Sequence, residues 1–241
     1  MSFVSAYSGA LVVQAHETNY YGPDSGRPQC VPRAIVLHTP EEPADDYEST
    51  PVYFAQPSRQ ASTRWYLDND GDLYNLVPEP WGAIANGLEG KPAPVYFAPF
   101  SLNLQTDNIE IEGYAHSLHQ TMTQQQWASL VDWCVWCCLR WNIRPDRQHI
   151  LAHYDLSIQR SDPGPWLLDK SPLVREVEAR VNQYEKDVKE LKGIAAANAL
   201  RLNGQEKLLE AILPPLAAGD DQTAEQRLRY IYTAAGKPYP A

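Results

Sequence analysis

Apolar and polar positions along this chain fall first into short runs and later into one long periodic stretch. "RAIVLHTP" is a brief apolar run with a polar end, the pattern of a buried strand that stops at a site. "ASTRWYLDNDGDLYNLVPE" predicts a hairpin, with alternating strands at Ser62–Leu67 and Leu73–Val77 around the turn signal Asp70-Gly71. Its acidic "DNDGD" invites comparison with a calcium loop, but the glycine spacing and the distal glutamate do not fit, so a turn is expected. "DNIEIEGY" alternates again: in a strand Ile109 and Ile111 share one face, and Glu110 and Glu112 the other.

"TMTQQQWASLVDWCVWCCLRWNIRP" changes the period from two to that of a helix. Thr123 and Gln126 form a capping box at its start, and Pro145 lies just past its end. Trp127, Leu130, Cys134, Cys137 and Trp141 recur at three- and four-residue spacing and predict its buried stripe. Strands and helices alternate to about residue 170, which predicts an α/β domain with a mixed central β-sheet flanked by helices over 1–170.

From "SPLVREVEARVNQYEKDVKELK" onward the texture is different, and residues 171–241 are expected to form a helical extension. Val174, Val181, Val188, Ala195, Leu202 and Leu209 recur every seventh residue, interleaved with Val177, Tyr184, Leu191, Asn198, Gln205 and Ile212. That heptad pattern fits a coiled coil and self-association, or a long amphipathic helix folded back on the domain; Gly193 and Gly204 interrupt it. "ILPPLAAGDDQ" then breaks the helix and "TAEQRLRYIYTAAGK" restarts a short one.

Charge narrows the partners. The 241 residues carry a formal charge of −10, all of it within residues 1–170, where 20 acidic side chains face 10 basic ones; residues 171–241 hold 10 of each. An acidic half of this kind argues against nucleic acid, whose phosphates would repel it. There is no apolar run long enough to span a membrane, and the amino-terminal stretch lacks the basic start of an export signal, so synthesis in the cytoplasm with no export route of its own is expected. The four cysteines, at 30, 134, 137 and 138, suit neither a disulfide framework nor a zinc site, and three crowd one helix; they are read as reduced core residues.

The chemistry concentrates in "HILAHYDLSIQRSDPGPW". A catalytic zinc takes three protein ligands and keeps one position open; it makes water acidic enough to ionise near neutrality and polarises a carbonyl. His38 ends one apolar run and His153 another, and Asp162 sits in a stiff loop where Pro163 restricts the backbone and Gly164 permits a turn. His149 is a rival ligand, because His-x-x-x-His suits a helix; in a strand the two rings stand roughly 13 Å apart, too far for one metal.

Taken together, "IVLHTP", "ASTRWYLDNDGDLYNLVPE", "NIEIEG", "ILAHYD" and "RSDPGPW" resemble the zinc-dependent N-acetylmuramoyl-L-alanine amidase family, in order from about residue 12 to 170. The family includes phage lysins, muropeptide-recycling amidases and peptidoglycan-recognition proteins. The resemblance implies Zn2+ on His38, His153 and Asp162, with Glu110 as the catalytic carboxylate and Glu112 beside it in a structural role. It also implies that Arg160, where many relatives carry lysine, stabilises a developing oxyanion. Thr63 stands where some relatives have a catalytic tyrosine, Arg64 replaces a histidine, and Ala85 with Asn86 occupies the place of another; Thr63, Arg64 and Asn86 are expected at the substrate.

The implied activity is hydrolysis of the amide between N-acetylmuramic acid and L-alanine in peptidoglycan, with muramyl peptides as partners. An endolysin, its tail directing it to the wall or making it a homo-oligomer, is the leading expectation. A cytoplasmic recycling amidase and a non-catalytic peptidoglycan-binding module are the alternatives.

Overall fold

The computed structural model describes residues 5–22, 26–40, 49–86, 94, 101–113, 121–167 and 169–212. The break and renewed helix expected beyond Ile212 lie outside the described residues. At the centre is Ala34–His38 (β3), all five residues buried. It pairs in parallel with Thr106–Ile111 (β7) on one side and Ile150–Ala152 (β8) on the other. A strand with neighbours on both edges and elements on both faces has no exposed positions, hence the continuous apolar run.

Trp65–Leu67 (β4) and Leu73–Asn75 (β5) form the expected antiparallel hairpin, shorter at both ends than the alternation suggests. Leu11–Val12 (β1) completes a six-stranded mixed sheet of order β1-β5-β4-β7-β3-β8, and Tyr20–Tyr21 (β2) pairs with Gly82–Ala83 (β6) separately. At the hairpin turn Gly71 has φ of 88°, and a Cβ there would lie 3.0 Å from the Gln125 backbone. Only glycine meets both demands.

Alternation decides which face each side chain serves. Ile35, Leu37, Trp65, Leu67, Ile109, Ile111 and Ile150 point to one face and form the main core with Gln124–Trp141 (α2). Helix α2 opens on the expected capping box: the Thr123 hydroxyl accepts from Gln126 N, and the Gln126 side chain accepts from Thr123 N. Its buried face is wider than the expected stripe, taking in Val131, Trp133 and Cys138 while leaving Trp127 and Trp141 partly exposed. All four cysteines are free and buried.

The opposite face carries His38, Glu110 and Tyr66, which stand in register across β3, β7 and β4. Among the described residues, a two-turn helix, Ser49–Ala55 (α1), and a single turn, His153–Leu156 (α3), are the short α-helices. Ser171–Ile212 (α4) is one long helix. Its first turns bring Leu173, Val174, Val177 and Val181 into the core, each burial worth about 1.5–3 kcal/mol. For that reason the chain divides into its two units between Gln183 and Tyr184, inside α4 rather than ahead of it. Among the described residues no helix is long and apolar enough to cross a membrane.

Candidate metal centre and active site

Three buried side chains from separate segments meet at the carboxyl ends of β3 and β8. His38 is the last residue of β3, His153 the first of α3 directly after β8, and Asp162 sits in the loop that follows. Their spacing is tight and even: Nδ1 of His38 lies 3.1 Å from Nδ1 of His153, and each is 3.2 Å from Oδ2 of Asp162. The loop is tied down around Asp162. Thr39 donates to the Pro163 carbonyl, Tyr154 N donates to the Asp162 carbonyl, and Gly164, at φ of 91°, closes a turn onto Ser161 O.

Hydrogen bonds alone do not account for this triangle. With a proton on both facing nitrogens the two N–H groups oppose each other; with one or none, lone pairs face lone pairs along at least one edge. A cation at the centre turns all three lone pairs to use. Ligands about 2.0–2.1 Å from a tetrahedral zinc are separated by roughly 3.3–3.4 Å, close to the edges found here. Asp162 Oδ1 and His153 Nε2 are also buried without a hydrogen-bond partner. The donor set, two imidazoles and one carboxylate, is the kind zinc takes, and the residues present fit it.

The second nitrogen of His38 is accounted for. Nε2 lies 3.0 Å from Oδ1 of Asn86, whose own amide donates to Thr106 Oγ1 and Asn108 Oδ1, both at 2.8 Å. Asn86 N in turn donates to Asn103 Oδ1. An acceptor at Nε2 puts the proton of neutral His38 there and leaves the Nδ1 lone pair facing His153 and Asp162.

Electrostatics favour a positive guest. Burial pushes the Asp162 carboxyl up, but hydrogen bonds and charge from the two imidazoles outweigh it and hold its pKa well below the usual carboxylate range. Burial pulls His38 down, yet Asp162 and the Glu110 charge leave it raised. Burial lowers His153, with the charges of His38 and Arg160 acting the same way against Asp162.

The triangle forms the floor of a cleft of about 260 Å³ that Glu110 and Arg160 also line. Glu110 is beside His38 because β3 and β7 pair in register there. Arg160 is exposed, two residues before Asp162. Thr50, Tyr53 and Phe54 of α1 form part of the wall, and the Arg59 guanidinium stacks 4.0 Å from the Tyr53 ring centroid. Sequence reading missed α1, whose only signal is the short aromatic stretch "PVYFA".

Four other residues singled out in the sequence are placed elsewhere. Glu112, one residue past β7, accepts from Asn69 N and its side-chain amide, and lines a different cavity of about 520 Å³ with Asp68, Asp70 and Asp72. His149 precedes β8 and bonds Asp146, so it is no rival ligand.

Thr63 and Arg64, expected at the substrate, are buried, and neither lines the cleft. The Thr63 hydroxyl donates to the carbonyls of Trp65 and Asn108. Arg64 forms an ion pair at 3.4 Å with Asp107, which is 0 % exposed and accepts from the indoles of Trp65 and Trp141. A buried pair of this kind is structural: removing one partner strands the other charge at a cost of about 3–5 kcal/mol. Asn86 likewise supports His38 from behind and does not line the cleft.

A family model described as N-acetylmuramoyl-L-alanine amidase matches residues 26–165, more than half of the chain. Searched by sequence against curated proteins, the chain matches none. Among solved structures, it is similar to the catalytic domain of XlyA, at 15% identity over 70% of this chain and 98% of that one, with a TM-score of 0.53. A selenomethionine derivative of AmpD is 17% identical over 71% of this chain and 95% of that one, with a TM-score of 0.51. At such identities these two structures speak to the fold alone.

Proposed function

Given that this chain belongs to the N-acetylmuramoyl-L-alanine amidase family, and is thus an amidase of peptidoglycan, we propose that it is a zinc enzyme serving as an endolysin. The observation that carries the metal is the near-equilateral set of His38 Nδ1, His153 Nδ1 and Asp162 Oδ2 at 3.1–3.2 Å. Bound there, zinc supplies Lewis acidity toward water and toward the amide carbonyl.

The remaining chemistry belongs to the chain. Glu110, on the strand beside His38, accepts the proton that attacking water must lose and returns one to the departing L-alanine nitrogen. Arg160, exposed beside the cleft it lines, offers a guanidinium that stabilises the negative charge growing on the carbonyl oxygen. With these groups gathered in one cleft, a purely binding module is the weaker reading.

The tail supports the endolysin over a recycling enzyme: the part of α4 beyond Gln183 adds nothing to cleaving a soluble muropeptide, whereas a wall-degrading enzyme gains from a targeting or self-associating element. On this reading the protein is made in the cytoplasm and reaches the wall after release. Mass spectrometry of purified sacculi tests the bond, the metal and the carboxylate together. The expected products are stem peptides with new L-alanine amino termini, lost with a chelator, regained with zinc and absent for Glu110→Gln. Chelator-resistant release would overturn the metal, and undiminished turnover of Glu110→Gln would move the base elsewhere. Activity on soluble muropeptides without release from sacculi would favour recycling.

A further inference from the structure

The apolar stripe of α4 changes its surroundings abruptly. Val174, Val177 and Val181 are buried in the domain core. The same heptad stripe then continues as Tyr184, Val188 and Leu191, and here Tyr184 is 53% and Leu191 64% exposed. In the sequence it runs on through Ala195, Asn198, Leu202, Gln205, Leu209 and Ile212. We propose that residues 184–212 of α4 pair with the same helix of a second copy of this chain, parallel and in register.

Charge identifies the occupant. Residues 184–212 hold five basic and five acidic side chains, a balance that gives no pull toward an anionic membrane or wall polymer. The flanks of the stripe are self-complementary instead. In a parallel, in-register pair, each residue just before an a-type position meets the partner residue five places further on. Asp187 then meets Lys192 and Ile194 meets Ala199: one opposite-charge contact and one apolar contact, each made twice by symmetry.

Orientation follows from the polar seam residue. In register, Asn198 faces its own copy, where amide can bond amide. The antiparallel offset that joins Asp187 to Arg201 brings Lys192 against its own copy and leaves Asn198 against Val188. Parallel pairing avoids both conflicts.

The full-length chain tests this by crosslinking and charge exchange. All four native cysteines are buried, so Val188→Cys, at a seam position, is expected to form a disulfide-linked dimer under mild oxidation. Leu200→Cys, at an outward position that is 73% exposed, is expected to do so far less. In sedimentation equilibrium, Lys192→Asp should weaken the dimer at least about fivefold, and Asp187→Lys combined with Lys192→Asp should restore it. Retained hydrolysis of a soluble muropeptide reports that each variant has folded. A monomer at every attainable concentration overturns the proposal, as does binding of monomer to anionic vesicles through this face. Crosslinking at 200 equal to that at 188, or no recovery on exchanging the charges, overturns the register.

Discussion

His38 offers two nitrogens to its surroundings, and Asn86 selects between them. Its Oδ1 is held toward His38 Nε2 because the amide is already committed to Thr106 and Asn108. The Nδ1 lone pair is thereby aimed without any cost at the moment of binding. Asn86→Ala is expected to weaken zinc binding by about 10–100-fold in competition with a chromogenic chelator, while Asn86→Asp, which keeps the acceptor, retains it. Equal affinity in wild type and Asn86→Ala would show that the ring is oriented by other contacts. In the sequence Asn86 is an ordinary loop residue beside Ala85, and the family resemblance suggests only a lost histidine. Its work becomes visible when its Oδ1 is found 3.0 Å from Nε2 of His38. The same is true of Arg64: a basic residue ahead of a strand reads as a surface contact until Asp107 is found buried 3.4 Å away.

Among the elements, those with a local signature were legible. Helix α2 announced its start through Thr123 and Gln126, and the hairpin announced its turn through Asp70-Gly71. The cap also reaches beyond its own helix, since Thr123 Oγ1 lies 2.6 Å from the Asn69 carbonyl in that turn. Thr123→Ala should therefore cost about 1–2 kcal/mol in urea unfolding, at the upper end for a helix cap, and Thr123→Ser should recover most of it. A loss of only a few tenths would mean that the tie to the hairpin contributes nothing. Elements without such signatures were missed or misjudged. Helix α1 is two turns long, too short for a period to emerge, and β4 begins only at Trp65, though alternation starts at Ser62. Strand ends are set by where a neighbouring strand stops, which no local pattern records.

For the molecule as a whole, the candidate metal site links parts that are remote along the chain: residues 38, 153 and 162 come from β3, the start of α3 and the loop beyond it. A ligand that binds only the folded arrangement stabilises it, by about 2.7 kcal/mol when present at a hundred times its dissociation constant. Zinc is accordingly expected to raise the melting temperature of chelator-treated protein, and Asp162→Ala to abolish that response. An identical rise in the variant would place the ion elsewhere. The sequence by itself determined the α/β class, the period of each long element, the heptad tail and the small set of residues able to bind a metal, because these depend on side-chain type and spacing within one segment. Only the tertiary structure decided that His38, His153 and Asp162 converge, that Glu110 and not Glu112 stands beside them, and that α4 begins in the core and is largely exposed from Asn182 to Arg201. Those outcomes rest on strand register and on packing between segments far apart in the chain. A register shift of one residue would have turned Glu110 to the opposite face without altering a single local motif.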